Sequence, residues 1–138
     1  MIAPTGVLEA ALYVDDLDAA EAFYGGVIGL DRITRVDGRH VFFRCGEGVL
    51  LTFIAAATEV PPDPDALPVP PHGARGPGHV CFAVPAERLD ALARHLAAHD
   101  VAIESDFHWP HGPRSIYVRD PAGNSVEFAD PALWSSTA

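Results

Sequence analysis

The sequence predicts an α+β fold made of two copies of a β-α-β-β-β unit, and three observations lead there. Short runs in which apolar and polar residues alternate mark half-buried strands, and two other runs place apolar residues at helical spacing. These runs follow one another in the same order in both halves of the chain. A proline-rich stretch separates the halves. A length of 138 residues, with 49% hydrophobic and 20% charged content, suits one folded domain over residues 1–138 with a real core.

Leu8 to Val14 alternates as a strand, with Leu8, Ala10, Leu12 and Val14 on one side and Glu9, Ala11 and Tyr13 on the other. Asp18-Ala19-Ala20-Glu21 fits a capping box. Leu17, Ala20, Tyr24 and Val27 then recur at helical spacing until Gly29 offers a stop, although Gly25-Gly26 weakens this helix. Ile33 to Val36, His40 to Cys45 and Val49 to Ile54 read as three strands, separated by Asp37-Gly38 and Gly46-Glu47-Gly48. Between Ala55 and Gly78 fall seven of the thirteen prolines. Such a segment cannot enter a sheet interior, so it reads as a connector first and a lid second.

The second half repeats the first. Gly78 to Val84 alternates, with Val80 and Phe82 opposite His79 and Cys81. Leu89, Leu92, Ala93, Leu96 and Ala97 form a helical stripe, and Ala102 to Phe107 is a strand. Arg114 to Phe128 is a hairpin: two alternating runs flank Asp120-Pro121-Ala122-Gly123-Asn124. Within it Val126 and Phe128 share a face and Glu127 projects to the other, as Glu9 does in its strand. Laid over each other, the halves match Glu9 with His79 and Thr52 with Glu127. The expected boundaries are about 6–56 for module one, 57–77 for the connector and 78–131 for module two.

Nine basic residues against nineteen acidic ones give a net charge of −10, which argues against nucleic acid and anionic membranes as partners. All nine are Arg, so no lysine is present to form a Schiff base. Without a basic leader or an 18-residue apolar run, a cytoplasmic location is expected. Cys45 and Cys81 form no C-x-x-C pair and are expected to be reduced thiols.

Four local patterns resemble the vicinal oxygen chelate superfamily (glyoxalase, bleomycin resistance protein, extradiol dioxygenase). They are Tyr13-Val14-Asp15-Asp16-Leu17 with Ala22-Phe23-Tyr24 and Ile28-Gly29-Leu30, then Gly78-His79-Val80, and Asp120-Pro121-Ala122-Gly123-Asn124 ahead of Glu127. The resemblance implies two βαβββ modules forming a curved mixed sheet around a cavity, commonly as a homodimer. Metal ligands in that family sit on the first and last strand of each module. Carried over, those positions are Glu9, Thr52, His79 and Glu127, and Thr52 departs from the pattern. This leaves Glu9, His79 and Glu127 as ligands for one divalent ion of the Fe, Mn, Ni or Zn type.

If the halves pair as proposed, two carboxylates and an imidazole converge, and neighbouring acids out of water raise each other's pKa unless a cation intervenes. Arg39 or Arg114 could instead neutralise an acid. Strand alternation adds the other candidates for a cavity. His40, Tyr117 and Glu127 are the candidates for proton transfer, with His40 as general base. Tyr13, Phe42, Thr52, Cys81, Trp109, Arg114 and Ser115 are candidates for substrate contact. His72 is expected in solvent. The expected function is a metal-dependent lyase, isomerase or dioxygenase that chelates a small substrate through adjacent oxygens. The alternative is a metal-free protein that binds and sequesters a small molecule.

Overall fold

The computed structural model describes residues 1–135. They divide into two compact units, residues 1–76 and the chain from Pro77 onward. The first contains β1 (Glu9–Tyr13), α1 (Leu17–Glu21), β2 (Asp31–Val36), β3 (His40–Cys45), β4 (Gly48–Phe53) and the single helical turn α2 (Ala55–Thr58). The second contains β5 (His79–Ala83), α3 (Leu89–Ala98), β6 (Ser105–His108), β7 (Arg114–Arg119) and β8 (Ser125–Ala129). Both sheets follow one plan, β1-β4-β3-β2 and β5-β8-β7-β6. In each, the first strand runs parallel to the last and the remaining neighbours are antiparallel. The expected double β-α-β-β-β order is therefore present.

Side-chain alternation assigns each sheet a helix side and a helix-free side. In the first unit Leu12, Val41, Phe43 and Leu50 are buried on the helix side with Leu17, Ala20 and Tyr24. The Tyr24 and Phe43 rings lie 5.9 Å apart. In the second, Phe82, Ile116, Val118, Val126 and Phe128 share the core with Leu89 and Leu96 of α3. Burying each such side chain contributes roughly 1.5–3 kcal/mol, so these two stripes hold the modules together.

Local details differ from the sequence reading for identifiable reasons. The cap of α1 is Asp16 rather than Asp18: its extended backbone lets the carboxylate accept from the N–H groups of Asp18 (2.8 Å) and Ala19 (3.1 Å). Beyond Glu21 the chain widens into a π-helical stretch over Ala22–Val27, through Gly25-Gly26. Ile28 N–H accordingly reaches back five residues to Phe23 O, and Gly29 ends the helix at φ +88°. The second strand of the second unit begins at Ser105 rather than Ala102, because Val101 N–H is still bonded to Leu96 O at the end of α3.

The turn between β7 and β8 reaches beyond the hairpin. Asp120 is 4% and Asn124 2% exposed. Asp120 accepts from the N–H groups of Ala122 and Asn124 and from the Asn124 side-chain amide. Asn124 Oδ1 in turn accepts from Gly78 N–H at 2.7 Å, and Ser125 N–H donates to Gly78 O at 2.9 Å. Gly123, at φ +91°, supplies the left-handed backbone this closure needs. One buried polar knot thus fixes where β5 starts against β8.

Two candidate substrate contacts lie on the helix side and are corrected here. Thr52 pairs with Leu12 and Val41, is fully buried, and donates its hydroxyl to Val41 O at 2.7 Å. The residue matching Glu127 in register is Leu51, since Ala11 pairs with Leu51 as Cys81 pairs with Glu127. The sequence overlay was one residue out. Arg114 also faces the helix: it bonds bidentately to Asp106 (2.8 and 2.8 Å) and to Asp90 of α3 (2.6 Å). It ties strand to helix and is not available to neutralise Glu127.

The proline-rich segment does not hang free of module one. His72 N–H donates to Thr58 O (2.9 Å), Arg75 pairs with Glu59 (2.8 Å), and the Tyr13 hydroxyl and His72 Nδ1 are 2.6 Å apart. Among the described residues no helix is long and apolar enough to cross a membrane.

The Arg114 guanidinium, through its hydrogen bonds, holds the Asp106 carboxyl below the usual carboxylate range. A depressed folded pKa contributes stability above the unfolded pKa of about 3.9 and loses it as pH falls through the lower folded value. Asp106→Asn is therefore expected to cost about 1 kcal/mol at neutral pH. In urea unfolding curves the gap from wild type should narrow as pH falls below about 3.9, the unfolded value.

Candidate functional site

On the helix-free side of module two, register brings five side chains into neighbouring positions. His79 faces Ser125, Cys81 faces Glu127, and Glu127 faces Tyr117, while Ser115 faces Ala129. Glu127 is 5% exposed. Its Oε2 accepts from the Ser115 hydroxyl at 2.6 Å, and its Oε1 lies 3.3 Å from His79 Nε2. The Tyr117 ring and the Cys81 thiol stand beside it in register, and the thiol donates to Phe82 O at 3.9 Å. The buried carboxylate thus accepts one hydroxyl hydrogen bond and faces an imidazole, and among the described residues no arginine pairs with it.

His79 is oriented from behind. Its Nδ1 lies 3.1 Å from Ser125 O, a carbonyl that can only accept, so Nδ1 carries the proton. In the neutral ring Nε2 then keeps its lone pair, aimed toward Glu127 Oε1. This is the arrangement in which imidazoles bind metals, the second nitrogen being fixed by a backbone carbonyl. Protonated, the same ring would form an ion pair with Glu127 instead.

A chain of donors reaches Glu127 from the other side. Trp109 Nε1–H donates to Ser115 Oγ (2.8 Å), and the Ser115 hydroxyl donates onward to Glu127. Trp109 and Ser115, expected as substrate contacts, are committed to this chain. Rings flank it: His79 and Tyr117 lie 6.2 Å apart at 19°, Tyr117 and Phe107 5.9 Å apart at 6°. Burial first, and Glu127 next, push the Tyr117 hydroxyl up to about 12. Cys81 is likewise pushed up to about 12, by burial and then by the charge of Glu127. Both remain protonated donors at neutral pH.

In module one the equivalent strand position to His79 is Glu9, exposed on β1 opposite Val49. Among the described residues Glu9 makes no ion pair with arginine. The end of β1 carries Tyr13, which packs near Phe53 (6.1 Å) and meets His72. His40 opens β3, is 8% exposed, and stacks on Phe42 at 4.0 Å. Arg39 Nη1 lies 2.7 Å from His40 Nδ1. A guanidinium can only donate, so this nitrogen accepts and the neutral ring carries its proton on Nε2. Burial, and then the Arg39 charge, lower the His40 pKa. In this arrangement His40 presents an N–H on Nε2, with its lone pair on Nδ1 held by Arg39.

The site of the second module is thus a donor pair, His79 and Glu127, whose chemistry fits a divalent ion. Among the described residues no group of three or more His, Cys, Asp and Glu stands together as a metal-holding set. Sequence reasoning missed the supports of this pair. Ser125 and Asn124 act through strand register, and His72, expected in solvent, packs edge-on against Phe53 at 4.7 Å. The alternation of Arg114 and Ser115 was the available signal that Arg114 faces the helix.

Fold and site together define a two-module βαβββ protein with polar donors on the helix-free face of its sheets. The chain belongs to the Glyoxalase/Bleomycin resistance protein/Dioxygenase superfamily, whose model matches residues 6–128. It is similar to the crystal structure of lactoylglutathione lyase from Agrobacterium tumefaciens, with 42% identity over 96% of this chain and 98% of that one, at a TM-score of 0.91. It shares its fold with a glyoxalase family protein from Bacillus anthracis (20% identity, 94% and 98% covered, TM-score 0.71). A glyoxalase/dioxygenase from Nostoc punctiforme does so as well (23% identity, 95% and 97% covered, TM-score 0.68). No curated protein matches the chain.

The charge of Glu127 opposes a thiolate at Cys81, which predicts slow alkylation near pH 8. Glu127→Gln is expected to speed iodoacetamide labelling of Cys81 severalfold, with Cys45 as internal reference. Mass spectrometry of the labelled peptides gives the two rates. Equal Cys81 rates in both proteins would remove Glu127 as the cause.

Proposed function

We propose that the chain is a metal-dependent enzyme of the lyase or isomerase kind that moves a proton between adjacent carbons of a small substrate bearing neighbouring oxygens. One observation carries this reading: His79 Nε2 faces Glu127 Oε1 at 3.3 Å while Ser125 O holds the opposite ring nitrogen. His79 and Glu127 are the proposed ligands that this module supplies to one divalent ion, of the Fe, Mn, Ni or Zn type. When bound, that ion would polarise a substrate oxygen as a Lewis acid. The 42% identity to a lactoylglutathione lyase favours proton transfer over dioxygenation.

The residues of module two suit the remaining work. Glu127 is the carboxylate that takes a proton from the carbon next to a substrate carbonyl, and its Oε2 stays anchored by Ser115. The electron pair of the broken C–H bond passes to the carbonyl oxygen. Tyr117 stays protonated through the working range and donates its O–H to that developing charge. The hydroxyl proton on the first carbon passes to the charged oxygen, and return of the abstracted proton to the neighbouring carbon, as the first oxygen becomes the carbonyl, completes the isomerisation. Trp109 acts through Ser115, as a positioning residue, and Phe107 supports the Tyr117 ring.

A second reading has an observation of its own. Glu127 Oε2 already accepts from the Ser115 hydroxyl, itself held by Trp109 Nε1–H, which satisfies that oxygen without a cation. A metal-free protein that sequesters a small molecule would use such a face.

S-lactoylglutathione in D₂O separates the two. Protein loaded with Mn²⁺, Fe²⁺, Ni²⁺ or Zn²⁺ is expected to exchange the substrate's α-proton for deuterium, followed by NMR. Glu127→Gln should slow exchange by about 10²-fold or more, the usual scale for losing an acid–base group. Elemental analysis should find one ion per chain in wild type and less in Glu127→Ala. No retained ion, together with exchange that survives chelation, would overturn the catalytic reading.

A further inference from the structure

We propose that the end of module one formed by Arg39, His40 and Phe53 is a binding site for a small carboxylate with an apolar body. The inference goes beyond the proton-transfer chemistry proposed above and uses none of its residues.

The first argument is charge. In a chain of nineteen acids and nine arginines, five arginines pair with carboxylates: Arg32 with Glu21, Arg35 with Asp18, Glu21 and Asp37, Arg75 with Glu59, Arg114 with Asp90 and Asp106, Arg119 with Glu104; among the described residues Arg44, Arg88 and Arg94 pair with none but are exposed to water. Arg39 is half-buried, and among the described residues it pairs with no carboxylate. Its hydrogen-bond partner is a neutral imidazole, which leaves a full positive charge uncompensated.

The second argument is geometry. Arg39 lies over the Phe53 ring, 5.6 Å from its centroid, so the guanidinium plane is held by an aromatic floor. His40 meets Phe53 edge-on at 5.9 Å and stacks on Phe42. With Nδ1 taken by Arg39, its N–H is on Nε2. Among the described residues no buried side-chain nitrogen lacks a partner, so this Nε2 opens to solvent. Phe53 also meets His72 at 4.7 Å and Tyr13 at 6.1 Å. The place offers a guanidinium fork, one further N–H and apolar ring faces, with no acid among these six residues.

Such a set selects its ligand. The planar fork matches the two oxygens of a carboxylate. One full charge beside a neutral donor balances a monoanion better than a phosphate dianion, and the rings suit an apolar body attached to it.

The test uses sodium benzoate as probe, with acetate and inorganic phosphate as comparisons at constant ionic strength. The readout is the NMR signal of the imidazole C–H protons of His40 in the full chain. Benzoate is expected to shift the His40 signal saturably, acetate more weakly and phosphate least. Arg39→Gln should weaken benzoate about tenfold or more, and Arg39→Lys, which keeps charge but not the fork, should fall between. His40→Phe keeps the ring stack and removes the N–H. Followed through Tyr13, it should weaken benzoate severalfold, which covers the case of Arg39→Gln failing to fold. Glu127→Gln should bind benzoate as wild type does, whatever the fate of the proposed proton transfer. A shift that never saturates, or unchanged affinity in folded Arg39→Gln and His40→Phe, overturns the site. Phosphate binding tighter than benzoate overturns the carboxylate assignment.

Discussion

The second module depends on one buried contact: the Gly78 amide donating to Asn124 Oδ1, itself held by Asp120. A parallel pair of strands far apart in sequence has no turn to set its register, and a slip of one residue would send every side chain to the other face. Here the knot at the β7–β8 turn pins the start of β5 to the start of β8. His79 therefore falls opposite Ser125 and Cys81 opposite Glu127. The motif that reads as a turn in sequence is also the clamp that places an imidazole beside a carboxylate.

Around that pair, polar groups are arranged in a fixed direction. Ser125 O forces the proton of His79 onto Nδ1, and the Trp109–Ser115 chain points a hydroxyl at Glu127 Oε2. Each contact removes one of the orientations the side chain would otherwise sample. What remains is a lone pair on Nε2 and an oxygen, Oε1, facing each other at 3.3 Å. Metal ligation and an ion pair both use that geometry, and the protonation state of His79 decides between them. The absence of an arginine partner for Glu127 among the described residues leaves the carboxylate free for either.

Module one has the same strand order and a different helix-free face. Where module two has Glu127, it has Leu51, and where module two has Ser125 opposite His79, it has Val49 opposite Glu9. Its polar groups gather instead around Phe53, with the proline-rich segment returning to place His72 there. The shared scaffold is maintained by the apolar helix-side stripe. The other face is free to diverge because burial there does not decide the fold.

Strand and helix order, both modules and the family patterns were legible in the sequence, because alternation with period two and spacing near 3.6 are local consequences of backbone geometry. Glu127, His79, Cys81, Ser115 and Tyr117 were placed on one face by the same rule. The rest required partners distant in the chain. Thr52 was matched to Glu127 by a loop-length overlay, and only the pairing of Ala11 with Leu51 shows the error. Arg114 meets Asp90 across 24 residues, and Tyr13 meets His72 across 59. The protons of His40 and His79 are likewise assigned by hydrogen-bond partners, Arg39 Nη1 and Ser125 O. A sequence determines which faces are apolar, whereas tertiary contacts decide which polar atoms meet, because hydrogen bonds depend on distance and direction that no periodicity encodes.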